Sequence, residues 1–236
     1  MFDGILILAL AVGITAVLSW MFGYSDYYER VSDAKDRYSE KYGIDLDISQ
    51  DDYDKLSDEQ KQLYYDADAE FANDEEVLFA YGMLFNLSLV ILSLSLLTAF
   101  IALELVVPIF LKYGRTLGKK IFGLAVVRTN GVKMTGQAHF IRSIIGKYTM
   151  ETMVPVYITV MILFGNLGVV GTGVLLMFLV LELFVVFYTK TRSAIHDLVS
   201  DTVVVDMANQ MIFENEDELI AYKAKLHQEM VEKQDY

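Results

Sequence analysis

The sequence predicts an all-α integral membrane protein of about four transmembrane helices, with amphipathic cytoplasmic hooks, short β-hairpin elements and an exterior helical cap. Three observations predict it. Gly4–Gly23 carries no charge, Val77–Leu111 only Glu104, and Thr152–Tyr188 only Glu182. About 20 such residues at roughly 1.5 Å rise cross the ~30 Å hydrocarbon layer. Acid is segregated: of 236 residues with a net charge of −13, Tyr24–Glu76 holds 18 Asp/Glu against 6 Lys/Arg. Base is segregated too, since Lys112–Met150 holds 8 Lys/Arg and no carboxylate. The acidic balance repels phosphate and argues against nucleic-acid binding. The absence of cysteine excludes disulfide, thiol-redox and Cys-zinc chemistry.

The first element, 1–23, reads as a transmembrane helix. A cleaved leader needs a positive start and a small-residue cleavage site; Met1-Phe2-Asp3 has no positive charge, and the apolar run continues through Trp20 and Phe22. Residues 24–76 form the acidic exterior insertion. Ser25–Tyr42 is helix-like and stops at Gly43, and Ser57-Asp58-Glu59-Gln60 has capping-box spacing that opens a second helix to about Ala72. Its rings, from Tyr24 to Phe71, are expected to stack between these helices. Asp45-x-Asp47-x-Ser49 shares the opening spacing of a calcium loop. The sixth and twelfth positions are Gln50 and Leu56, however, where Gly and a bidentate Glu are required.

The membrane region, 77–206, follows. Val77–Leu111 is long for one crossing, so Val77–Leu84 is expected to project outside or tilt. Basic loops stay in the cytoplasm, which places 112–150, and Lys190 with Arg192, inside. Two inside segments need an even number of crossings between them. Residues 152–188 therefore read as a hairpin of two spans, roughly Met153–Phe164 and Val169–Tyr188, turning at Gly165-Asn166-Leu167-Gly168. Both termini then lie in the cytoplasm. Within 112–150, Leu124–Arg128 and Val132–Met134 flank Asn130-Gly131, a strong hairpin signal, and Gly136–Tyr148 reads as an interfacial helix. Asn86 and Asn166 are expected to bond between helices. The tail, 207–236, reads as an acidic amphipathic helix with Ile212, Leu219, Tyr222 and Leu226 near helical spacing.

A repeat is also visible. Shifted by 78 residues, Leu103-Glu104-Leu105 meets Leu181-Glu182-Leu183, Val107 meets Val185, Lys112 meets Lys190, and Val126-Val127 meets Val204-Val205. The charged matches are informative because charges in a span are rare. Each half would be a helix hairpin, a cytoplasmic hook and a Val-rich strand, related as a parallel repeat.

The blocks Gly114-Arg115-Thr116-Leu117-Gly118-Lys119-Lys120-Ile121-Phe122-Gly123-Leu124-Ala125-Val126-Val127 and Lys190–Val205, the latter containing Ser193-Ala194-Ile195-His196-Asp197-Leu198, resemble the two signatures of the bacterial RDD family of multi-pass membrane proteins. The likeness covers Val77–Asp206 well and Met1–Gly23 loosely. The family is named for an Arg and an Asp in its first helix and a second Asp downstream; the resemblance matches these Asp residues to Asp3 and Asp197. Its Arg has no match in the chain and is expected either upstream of Met1 or lost in this member. Transport, including cation/proton exchange, is what the resemblance implies.

A carboxylate in a span costs roughly 2.5 kcal/mol or more and normally faces a partner, a cavity or a proton path. Glu104 and Glu182 are thus candidates for an ion or proton site, sharing a cytoplasmic layer with Asp3 and Asp197. Arg115, Lys119, Arg142 and His196 are the supporting charges. The plain alternative is that Glu104 and Glu182 pair near Lys112 and Lys190, and that the basic residues neutralise the rest. Gly114–Lys120 lacks the spacing of a phosphate-binding loop, and no nucleophile elbow, zinc motif or cofactor motif is present; an enzyme is not expected. Three readings remain: a secondary transporter of protons or monovalent cations, a non-transporting component that recruits partners through the cap or tail, and a protein that handles anionic lipid.

Overall fold

The computed structural model describes residues 2–165 and 167–234; the expectation for Asn166 lies outside the described residues. The chain forms two compact units, Val12–Ser95 and Met1–Ala11 with Leu96–Tyr236. The helices α1 (Phe2–Met21) and α5 (Glu75–Phe100) run through both.

Within Val12–Ser95, α2 (Tyr24–Tyr42), α3 (Gln50–Asp54) and α4 (Asp58–Ala72) precede α5. α2 ends where Gly43 takes a left-handed φ of 68° and its N–H caps Ser39 O, a conformation that costs glycine nothing. α4 opens with the expected capping box: Ser57 accepts from Gln60 N, and Gln60 accepts from Ser57 N. Val31 and Ala34 of α2, Ala67 and Phe71 of α4, and Val77, Ala80 and Leu84 of α5 close one core. Burying such a side chain stabilises by ~1.5–3 kcal/mol. The first turns of α5 are thus core of this unit, which explains why the apolar run outgrows a single crossing. The rings line the core as Tyr24, Tyr27, Tyr38, Tyr42 and Tyr64. Tyr38 donates to Asp74 at 2.9 Å and Tyr42 to Glu70 at 2.6 Å. The Tyr38 hydroxyl holds the Asp74 carboxyl below its ordinary range, as Lys41 and Tyr42 hold Glu70. Asp47 is taken by Lys35 at 2.6 Å. Thr15 donates to Ser95 at 2.9 Å, the polar link between α1 and α5.

In the second unit α5 continues without a break as a π-helix, π1 (Ile101–Val106), and α6 (Val107–Phe110). A hook follows: α7 (Leu117–Ile121), then β1 (Leu124–Arg128). Next, α8 (Gly136–Phe140), a long π-helix π2 (Ile141–Met153) and α9 (Val154–Leu163) form one uninterrupted helix. The expected interfacial helix and the short span after it are therefore a single element. α10 (Gly168–Tyr188), a second hook with α11 (Ile195–Val199) and β2 (Thr202–Asp206), and α12 (Glu216–Gln234) complete the chain.

The Asn-Gly turn forms, with Gly131 N donating to Arg128 O and Val132 N to Asn130 Oδ1. Its hairpin is limited to a bridge between Val127 and Lys133; the ladder of β1 runs instead to β2, antiparallel, with Val126 opposite Val204. Val132 also meets Phe213 of the tail in a parallel bridge. The hooks sit at the 78-residue offset: Leu117 corresponds to Ile195 and Leu124 to Thr202, element for element. The repeat is thus built as two hooks whose strands pair with each other.

Three helices, Phe2–Met21, Glu75–Phe110 and Gly168–Tyr188, are long and apolar enough to cross a membrane. Their large apolar side chains are mostly exposed, as at Ile5, Val12, Leu176 and Phe187. Such continuous apolar surface belongs in lipid. The protein is an all-α integral membrane protein.

Candidate functional site

The described residues of the second unit enclose an open cavity of about 970 Å³. Its apolar wall includes Phe2 and Ile7 of α1, Phe100 of α5, and Leu179, Leu183 and Val186 of α10. Its polar wall gathers Asp3, Glu104, Glu182, Asp197, Lys119, Arg142 and His196, all singled out in the sequence. Arg115 is not on this wall: its guanidinium donates to Leu111 O and approaches Met207 S.

Both π-helices face the cavity. Winding by i→i+5 bonds is rare and recurs at functional sites, and here it aligns the chemistry. Arg142, Lys147 and Glu151, five and four residues apart on π2, share the cavity side. Ser143 donates to Glu104 O at 2.7 Å and locks π2 to π1. Glu104, 4% exposed, is bound by Lys147 at 2.6 Å. The partner is not the nearby Lys112 that the sequence suggested, because the next helix brings an ammonium deeper.

The first hook is held by Asp3. Its carboxylate accepts from Thr116 Oγ1 at 2.6 Å and from Gly118 N at 2.8 Å, and a methyl group on Gly118 would stand 2.8 Å from Asp3 Oδ2. Asp3 thus receives donors of the α7 N-terminus instead of the basic side chains expected to neutralise it. The second hook is held likewise. Glu151 Oε1 accepts from His196 N at 2.8 Å, and His196 is the 78-residue counterpart of Gly118. Asp197 is buried against Arg142 at 2.6 Å and Thr202 at 3.0 Å. His196 lies between Glu151, 2.7 Å from Nδ1, and Arg142, 3.0 Å from Nε2.

Four charges of the sequence-derived set, Asp3, Arg115, Lys119 and Glu182, lack an opposite charge within 4.0 Å among the described residues; Asp3 and Arg115 are hydrogen-bonded to neutral groups instead. Glu182 makes neither an ion pair nor a hydrogen bond. Lys119 touches only Thr116 Oγ1, at 3.4 Å; burial and the neighbouring Lys147 push its ammonium down to about 8. Burial, then Arg142, pushes the nearby His139 down to about 4, so that ring is neutral at physiological pH.

The sequence reading missed Glu151 and the pairing role of Lys147. Glu151 fell between the basic block ending at Met150 and the apolar run starting at Thr152. An acid at that seam is a detectable signal, since it needs a partner as soon as the helix enters lipid.

No curated protein and no solved structure matches this chain. The sequence pattern of the RDD family matches it over residues 1–201, the larger part of its length, including both hooks and the helices that wall the cavity. With Asp3 and Asp197 each anchoring one hook, the chain belongs to the RDD family.

Proposed function

We propose that the protein is a secondary transporter of the bacterial cell membrane that exchanges a monovalent cation for a proton, with Glu182 as the carboxylate that receives the cation. In this reading the chain crosses the bilayer four times, with both termini in the cytoplasm and residues 24–76 outside. It works without a cofactor or enzymatic step. The observation that carries the proposal is the charge of the cavity wall. It holds five carboxylates, Asp3, Glu104, Glu151, Glu182 and Asp197, against four cationic side chains, Lys119, Arg142, Lys147 and Arg192. One negative charge is in excess, and among the described residues Glu182 is the wall carboxylate with neither an ion pair nor a hydrogen bond. A carboxylate in an apolar span calls for a compensating positive charge, and a wall short of one such charge can take it as a bound cation or as a proton, the two states an exchanger alternates between.

Protein in liposomes carrying a pH-sensitive dye, challenged with a Na⁺ or K⁺ gradient, tests this. Ion-driven proton movement is expected, with its loss in Glu182→Gln while the helical content stays unchanged. Absence of flux in the parent protein, or undiminished flux in the variant, refutes the proposal. One observation favours a second reading, partner recruitment: α12 leaves Ile220, Leu226 and Met230 exposed. Deleting residues 208–236 would then abolish function while Glu182→Gln is silent.

A further inference from the structure

The cavity wall holds an imidazole whose tautomer is fixed by its neighbours. A guanidinium carries donors only and stays protonated. The 3.0 Å contact from Arg142 Nη2 therefore makes His196 Nε2 an acceptor. The ring proton is then on Nδ1, donated to Glu151 Oε2 at 2.7 Å. His196 is thus neutral in this geometry, with the Nε2 lone pair occupied by Arg142. The charged groups around it are Glu151 and Arg142 from π2 and Asp197 from α11, whose Oδ2 is 3.4 Å from Nε2. Lys147 lies one turn of π2 before Glu151 and is held by Glu104 of π1.

We propose that His196 is the proton-accepting residue of the exchange, and that protonating it expels the cation from the cavity; this rests on the exchange reading above. A proton from the aqueous cavity adds to the Nε2 lone pair, and no bond between heavy atoms forms or breaks. The hydrogen bond from Arg142 Nη2 is lost. The new Nε2–H turns to Asp197 Oδ2, while Arg142 keeps Asp197 Oδ1, now 2.6 Å away. The charge count then closes. With His196 neutral the wall carries one excess negative charge and balances one monovalent cation; with His196 protonated the excess is zero. One proton thus replaces one cation, and the freed Arg142 N–H adds a competing donor on the cavity side. The linkage is reciprocal, so a bound cation opposes protonation of the ring.

The test uses the full chain with ¹⁵N-labelled histidine in detergent micelles. Three ring systems are expected, His139, His196 and His227, and His196→Gln assigns the one of interest. At pH 8 its spectrum should show the Nδ1–H tautomer. Replacing a bulky organic cation by Na⁺ or K⁺ should lower the midpoint of its protonation by about 0.7 pH unit or more, the low end of ordinary coupling between sites. An Nε2–H tautomer, or a midpoint indifferent to both ions, overturns the proposal. In proteoliposomes, His196→Gln should flatten the pH profile of exchange. Flux whose profile survives that change overturns this role alone. Absence of flux in the parent protein overturns the exchange reading and this role with it, even where ring and ion remain coupled.

Discussion

Removing Lys147 should damage this protein more than removing the acid it serves. The Glu104 side chain is 4% exposed and that of Lys147 17%, with Nζ and Oε2 2.6 Å apart. Breaking a buried pair by deleting one partner strands the other charge, at a cost of about 3–5 kcal/mol. In Lys147→Met the stranded group is Glu104, whose short side chain is packed on π1 with only 4% of its surface exposed, so the full range applies. In Glu104→Gln the stranded group is an ammonium on a flexible stem that still sees the cavity, and the cost falls to about 1–2 kcal/mol. Replacing both leaves no charge and an amide in place of the acid. The double variant should therefore be more stable than Lys147→Met, with a coupling of about 1–3 kcal/mol. Denaturant unfolding in detergent, followed by circular dichroism, measures all three. The reasoning fails if Lys147→Met lies within about 1 kcal/mol of the parent, or if the double variant equals the sum of the singles.

Three further outcomes are expected. Gly146→Ala puts a methyl 2.5 Å from His196 Cβ and 2.7 Å from its Cα; backbone must move, so a loss of about 1–3 kcal/mol and an altered His196 ring signal should accompany it, whereas unchanged unfolding would contradict the contact. His139 is protonated near 6.5 when unfolded but only near 4 when folded. Its contribution is thus complete above pH 6.5 and falls by about 3 kcal/mol as the pH drops to 4; melting curves of His139→Gln against pH should show a shallower acid limb. With its ammonium at about 8, Lys119 is largely neutral at pH 8.5 while ordinary lysines are charged, so limiting acylation followed by peptide mass spectrometry should find it among the first lysines modified.

The cap was legible because its signals are local: Gly43 and the Ser57/Gln60 pair end and start helices by contacts within a few residues. The repeat was legible from Glu104 and Glu182, since charges in a span are conspicuous, and the offset they set also carries the two hooks. The partners of those charges were not legible. Lys147 lies 43 residues from Glu104 on a helix whose i→i+5 winding leaves no mark in a 3.6-residue periodicity. The Asn130-Gly131 turn announced a hairpin, but a turn fixes direction only; β1 found its ladder 78 residues away, where Val203 and Val204 offer a better apolar match. Asp3 and His196 stood out in the sequence and line the cavity, yet the groups that hold them, Gly118 N and Glu151, depend on which helix ends meet in space.

The pitch of π2 is itself a mechanical variable. At α-helical pitch each residue turns about 100°, and Lys147 would stand about 140° around the barrel from Arg142. Rewinding this one segment to α-helical pitch would lengthen it and swing the Lys147 ammonium away from the side that Arg142 faces. A screw of that kind converts a small change of length into a large change of azimuth. The winding of residues 141–153 therefore decides which side of the helix each of their charges faces.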